Sequence, residues 1–280
     1  MNGFGDFAGT GTLVRLALRR DRILIPTWIV VFVISAAGSA KASIDLYSDH
    51  NALVEAARTT NASPALVSLY GRIFDESSLG EVSLFKFTAF GALLVGLLAG
   101  ILVVRHTRTE EESGRLELLS AGVLGRYAAL TAALIVSAAT VIVLGLLTAL
   151  ALIGSGLDAK GSFAFGLMWA TAGLSFAGVG AVTAQVTESA RAANGLTAAV
   201  LGVAYVLRAV GDSSADGSSQ WVSWLSPIGW SQQVRAYAGD RFAVLLVPLV
   251  FLGVLIAAAM ALIRRRDLGA GLVRPRPGPA

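Results

Sequence analysis

The chain is 280 residues long, 55% hydrophobic and 14% charged, with a mean hydropathy of +0.71, whereas soluble domains are about a quarter charged. It has no cysteine, which excludes a disulfide framework, a thiol nucleophile and a thiolate metal site, and its two histidines, His50 and His106, are too far apart in sequence to suggest a metal cluster. The net charge of +4 and pI of 9.8 come from arginines at the ends of apolar runs, not from a basic stripe interleaved with aromatics. Nucleic-acid binding is therefore disfavoured, and the expected class is all-α, a polytopic membrane protein.

Residues 1–22 read as a cytosolic arm. Its GFGDFAG start has neither the G-x-G-x-x-G spacing nor a preceding strand, and reads as a flexible leader. An interfacial helix follows, capped by Thr12, with Arg15, Arg19 and Arg22 on one face and Leu13, Val14, Ala17 and Leu18 on the other. Such a basic amphipathic helix lies in the inner headgroup layer.

Crossing a bilayer takes about 20 mostly apolar residues, and six spans are expected within residues 23–263, at about 23–40, 85–104, 127–153, 163–186, 195–207 and 242–263. The first, an apolar run of 18, is too long for the core of a signal peptide, about 7–15 residues. Residues 41–84 form a small outer cap with helical patches at 49–59 and 64–70. On the second span, Ala92, Gly96 and Gly100 make a small-residue face that lets another helix approach.

The fourth span carries Gly173, Gly178 and Gly180 beside Thr171, Ser175, Thr183 and Gln185. Two readings stay open there: plain packing, or a mildly polar path for an amphiphilic cargo through Ser175, Thr183 and Gln185. The fifth span stops short before Arg208; it extends a little, or turns back part-way. Trp221, Trp224 and Trp230 follow it, and interfacial tryptophans suggest a short re-entrant segment before the last span, with Trp224 and Trp230 at the outer end of the path. Residues 264–280 are a Pro/Gly-rich cytosolic tail or linker.

If the spans alternate, one side carries fourteen Lys/Arg and the other seven, with Lys86 at an edge. Positive-inside then places both termini and residues 105–126 in the cytoplasm of a cell-membrane protein. The span interiors hold essentially no ionisable group, with Lys86, Glu188 and Arg208 at edges, which argues against a proton-coupled carrier. The chain lacks a phosphate-binding G-x-x-x-x-G-K-[ST] loop and a nucleophile–base set, so it is expected to catalyse nothing itself.

The stretch 105–126, RHTRTEEESGRLELLSAGVLGR, concentrates charge. Thr109 and Glu112 have capping-box spacing, and Glu110, Glu111 and Glu112 suit the positive end of a helix dipole. Leu116, Leu119 and Val123 fall on one narrow face with Glu110 and Glu117 opposite, while Gly114 costs a helix about 1 kcal/mol. The pattern alone fits either a short amphipathic helix offered to a partner or a solvated loop whose arginines anchor the spans.

ESGRLELLSAGVLGR, after the second span, resembles the matching segment of permeases of the type-2 ABC exporter family. In that family the segment is a coupling helix that docks on an ATPase subunit. The resemblance implies coupling roles for Glu110, Glu111, Glu112, Gly114, Arg115, Leu116, Glu117, Leu118, Leu119, Val123 and Arg126, with Val123-Leu124-Gly125 standing where the family often has a proline. GTGTLVRLALRRDR, SPALVSLYG and WLSPIGWSQQVRAYAGDR also resemble drug- and antibiotic-export permeases of high-GC Gram-positive bacteria, in particular the N-terminal half of tandem permeases.

The resemblance implies a permease subunit of an ATP-driven exporter that moves an amphiphilic drug, antibiotic or lipid outward. Its partners would be cytosolic ABC ATPase subunits, which hold the ATP and Mg, and a second six-span half; no cofactor is expected on this chain. A membrane anchor or sensor subunit that recruits a soluble protein through the same segment is the alternative.

Overall fold

The computed structural model describes residues 5–47, 49–114, 124–213 and 218–265; among them there are helices and turns and no strand. In chain order the helices are α1 (Thr10–Arg20), α2 (Leu24–Leu46), α3 (His50–Asn61), α4 (Pro64–Tyr70), α5 (Leu79–His106) and α6 (Arg108–Glu112), then α7 (Ala128–Gly154), α8 (Ala159–Val186), α9 (Ala190–Asp212), α10 (Gln220–Ser223), α11 (Pro227–Gln233) and α12 (Leu246–Ile263). Six are long and apolar enough to cross a membrane: α2, α5, α7, α8, α9 and α12, the last including a leading turn from Phe242. Successive spans run in opposite directions. One end of the bundle gathers α1, α6 and the α8–α9 turn (the connector end), and the other gathers α3, α4, α10 and α11 (the cap end).

Helix α8 is the axis. In its most apolar window 89% of residues are buried, against 17% for α2 and α12, and α5, α7, α9 and α12 all pack on it. Lipid tails are as apolar as the helices, so association in a membrane relies on close packing, which small residues permit. A Cβ on Gly145 of α7 would lie 2.3 Å from the Gly166 carbonyl oxygen of α8, and the reverse contact is 2.2 Å. The two backbones therefore touch. Along α5, a Cβ on Gly96 would meet the Phe176 ring at 2.6 Å and one on Gly100 the Thr197 methyl at 2.6 Å, while Ala92 is fully buried. Trp169, also fully buried, fills the core between α2, α5 and α8, donating its indole N–H to the Phe87 carbonyl at 3.0 Å with Phe32 edge-on at 5.4 Å.

Several helix bounds differ from the hydropathy reading. The second span, read as 85–104, belongs to a helix starting at Leu79, capped by the Ser78 hydroxyl on the Glu81 amide at 3.3 Å. The fifth, read as 195–207, is a full 23-residue helix. Hydropathy stops at Arg208, but that side chain is fully buried and spent locally: it donates to the Val67 and Leu69 carbonyls at 3.3 and 3.2 Å, lies 3.5 Å from Asp212, and covers the Tyr205 ring. With its charge met inside the protein, the helix continues through it and does not turn back.

Thr12 is not the cap of α1. That helix starts at Thr10 behind Gly9, whose φ of 82° is left-handed, and Arg22 lies beyond its end. Nor is the GFGDFAG leader free: Gly5–Phe7 form a turn of 3-10 helix, and the amides of Gly125 and Tyr127 donate to Ala8 and Asp6 at 2.9 Å each.

The three tryptophans lie on or beside two short helices, α10 and α11, which a tight turn follows. Arg235, Tyr237 and Asp240 take left-handed φ values of 51°, 64° and 46° in that turn, which wedges the Tyr237 ring between Gly80 of α5 and Gly161 of α8. The Tyr237 hydroxyl is within 2.8 Å of the Ser162 hydroxyl, and burial pushes its pKa upward, so it stays protonated.

The Gly145–Gly166 crossing gives a direct test. Gly145→Val is expected to cost about 1–3 kcal/mol, toward the upper end because the obstructing atom is backbone. Gly202→Ala, with open space around it, should be neutral or stabilise by up to about 1 kcal/mol. Thermal unfolding in detergent checks both.

Candidate functional site

The connector between the second and third spans begins where α5 ends. Its first described part, His106 to Gly114, is bound to three other elements. Arg108, 1% exposed, enters the bundle: its Nε donates to the Ala184 carbonyl at 3.1 Å, its Nη2 to the Thr187 carbonyl, and its Nη1 to Glu111 at 2.7 Å. These carbonyls belong to the last turn of α8, where helix ends leave oxygens unsatisfied. Glu112 reaches across to the start of α9, accepting the Ala190 amide at 2.7 Å, a carboxylate at the positive end of a helix dipole. Glu110 pairs with Arg20 of α1.

A second node lies one turn earlier. Asp21, at the α1–α2 elbow and 1% exposed, is 2.7 Å from His106 Nε2 and 3.0 Å from Arg105 Nε. The elbow between arm and first span is thereby tied to the end of α5. At the far end of the connector, besides the backbone bonds of Gly125 and Tyr127, the Phe7 and Tyr127 rings approach to 5.5 Å and Arg264 donates to the Tyr127 hydroxyl at 2.5 Å. That hydrogen bond moves the Arg264 guanidinium further above its ordinary pKa.

Of the proposed coupling residues, Glu110, Glu111, Glu112 and Gly114 lie in this described part. Arg115, Leu116, Glu117, Leu118, Leu119 and Val123 fall outside the described residues, and Arg126 lies just past them. The Thr109–Glu112 capping box does not form: the helix starts at Arg108, Thr107 precedes it without a side-chain cap, and Glu112 is used on α9 instead. The three glutamates are thus engaged within the protein. Gly114 has a left-handed φ of 67° with open space around it, so it ends α6 as a turn and does not sit inside a longer helix.

The residues suggested for a cargo path fall in separate places. Ser175 is fully buried with its hydroxyl on the Thr171 carbonyl at 3.0 Å, Thr183 and Thr197 share a 2.7 Å hydroxyl contact, and the Gln185 amide donates to the Ala181 carbonyl at 3.2 Å. All three are held inside helix packing. Trp224 and Trp230 lie at the cap end, where the Trp230 indole donates to the Trp224 carbonyl at 2.5 Å and its ring meets Phe251 edge-on.

Sequence reasoning missed the Asp21 node and the anchoring of Arg108, because both looked like ordinary charges flanking a span. The Arg108–Glu111 spacing of three, which places two side chains on one helix face, was the available signal.

The sequence model of the family described as multidrug efflux system permease Rv1217c, C-terminal domain, matches residues 11–264. The chain is 44% identical over 273 residues to the multidrug efflux system permease protein Rv1217c of Mycobacterium tuberculosis (strain ATCC 25618 / H37Rv), covering 97% of this chain and 49% of that protein. It therefore spans about half the length of the relative. The family description names a C-terminal domain, where the sequence resemblance pointed to an N-terminal half.

If the Arg108 anchor holds the connector, Arg108→Ala removes the donor from the Ala184 and Thr187 carbonyls and should lower stability by about 1–3 kcal/mol for each of them. Arg191→Ala, at an exposed position of α9, should stay within about 0.5 kcal/mol; denaturant titration in micelles separates the two. Six spans gathered on a small-residue axis, a connector bound to three neighbouring elements and a family match over nearly the whole length place the chain in the family of multidrug efflux system permease Rv1217c C-terminal domains.

Proposed function

We propose that the chain is one six-span half of an efflux permease that moves an amphiphilic compound outward, driven by a separate cytosolic ATPase which binds ATP and Mg. The ATPase engages the 105–126 connector, and a second six-span half completes the pathway. The observation that carries this reading is the attachment of the connector. Through Glu110, Arg108 and Glu112 it is joined to α1, α8 and α9, and through Asp21 the end of α5 is joined to the elbow before α2. A force applied at the connector reaches four of the six spans without crossing solvent. Displacing such a linked group as a unit suits a transporter driven from outside the membrane.

The relative, twice as long, is named an efflux permease, which supports pairing with a second half of similar size. The excess of Lys/Arg at the connector end supports a cytoplasmic location for it and for both termini.

Co-expression with the ATPase encoded beside this gene tests the proposal. The detergent-purified chain should retain that ATPase and stimulate its ATP turnover. Leu116→Asp with Leu119→Asp should abolish both and remove drug efflux from cells. Arg20→Ala should leave the ATPase bound but lower efflux several-fold, since it cuts one attachment behind the docking surface. Retention that persists with no effect of any variant on efflux would indicate a recruiting anchor and sink the transport reading.

A further inference from the structure

At the cap end, α3 and the 71–77 loop border an open cleft of about 510 Å³ whose lining includes Val54, Arg58, Arg72, Ile73 and Phe74, a size typical of small-molecule sites. Behind it lies an enclosed cavity of about 10 Å³ lined by Glu81, Phe165, Gln232, Arg235 and Tyr237, room for about one water. Arg72 and Phe74 line both spaces.

The hydrogen bonding around these spaces is incomplete. The carboxylates are already engaged. Glu76 accepts from Arg58 and Asn61 at 3.2 Å each, Asp75 from the Ser77 amide at 3.0 Å and hydroxyl at 2.6 Å, and Glu81 from the amides of Phe74 and Asp75 at 2.7 Å each. The donors are not. Gln232 is 2% exposed, yet neither of its amide atoms has a partner among the described residues, and buried Arg235 Nε has none either. Native proteins rarely leave such groups unsatisfied. Arg72 stands exposed at the mouth with no hydrogen bond among the described residues, its charge felt by Asp212.

The backbone is built to hold these donors. Gly71, at φ 104°, lets Gln232 come so close that a Cβ there would collide with its amide nitrogen, and the turn with three left-handed non-glycine residues sets the Arg235 guanidinium over the Phe74 ring at 4.2 Å. Clusters of strained residues of this kind are found at ligand clamps.

We propose that cleft and cavity form one binding site for an anionic headgroup, a phosphate or carboxylate. Arg72 draws the anion into the cleft, and a water in the small cavity behind it bridges the anion to Arg235 Nε and Gln232 Nε2. Val54 and Ile73 give an attached apolar tail a wall. The site does not rest on ATP-driven export, since binding at this end stands whether or not the connector docks an ATPase.

The test is equilibrium binding by the full chain in neutral maltoside micelles, without ATPase, so its failure leaves the transport proposal untouched. Inorganic phosphate, hexyl phosphate and hexyltrimethylammonium are titrated by calorimetry. Hexyl phosphate should bind and the ammonium should not. Arg72→Gln and Gln232→Leu should each weaken binding about tenfold or more, and Arg72→Lys should restore most of it. Arg72 is exposed, so its variants are not expected to affect folding, and a monodisperse size-exclusion profile verifies this. Free phosphate binding with the same sensitivity assigns recognition to the headgroup; hexyl phosphate binding alone assigns part of it to the tail; both support the site. Absence of binding by both phosphates, equal binding by wild type and the Arg72→Gln chain, or equal binding of the ammonium overturns it.

Discussion

Backbone contact between helices is the constraint on which the bundle depends. In a membrane there is no difference in apolarity between helix and surroundings to drive association, so cohesion comes from many short-range contacts, each lost steeply with distance. Helix α8 meets α7 with carbonyl against glycine at Gly145 and Gly166, and α5 again at Gly100 and Gly180. Where four neighbours must all reach one helix, that helix cannot carry bulky side chains on every face. The large residues it does carry, Phe165, Trp169 and Phe176, fit because glycines opposite them, such as Gly91 and Gly96, leave the space.

The polar layer at the connector end follows a different logic. Its charges are matched, and Arg108, Asp21 and His106 among them are buried: Arg108 with Glu111 and two carbonyls, Asp21 with His106 and Arg105, Glu112 with the first turn of α9. A buried charge deprived of its partner is costly, so these contacts favour one arrangement of the helix ends and penalise partial separations. The cap end is held by shape, with Tyr237 seated between two glycines, and by the buried Arg208 that joins α4 to α9. One end is therefore tied together by charge and the other is latched by a ring.

Hydropathy made the number of spans legible because each is a long apolar run, and the small-residue face of Ala92, Gly96 and Gly100 was visible at its spacing of four. What hydropathy hid were charges inside helices. Arg208 looked like a boundary because a residue scale assigns the same cost to an arginine whether it meets lipid or a ring of carbonyls. The acidic segment posed the opposite problem. Glu110 and Glu112 read as a surface for a partner because their own partners, Arg20 and the Ala190 amide, come from chain positions that no local pattern connects, whereas Glu111 pairs with Arg108 only three residues before it. The Gly145–Gly166 crossing was likewise silent, since each glycine is ordinary in its own helix and only their meeting gives them meaning.

The pairing of residues 5–8 with residues 125–127 has a consequence for synthesis. Residues 6 and 8 cannot accept these bonds until some 120 further residues exist, which at ribosomal speeds of about 5–20 residues per second takes roughly 6–24 s. During that interval α2 and α5 enter the membrane while α1 waits for its packing against α7. Exposed Arg15 and Arg19, beside exposed Leu16 and Leu18, are suited to hold the waiting helix at the bilayer surface. The amphipathic arm then serves first as a temporary mooring, and closes the connector end of the bundle only when α7 arrives.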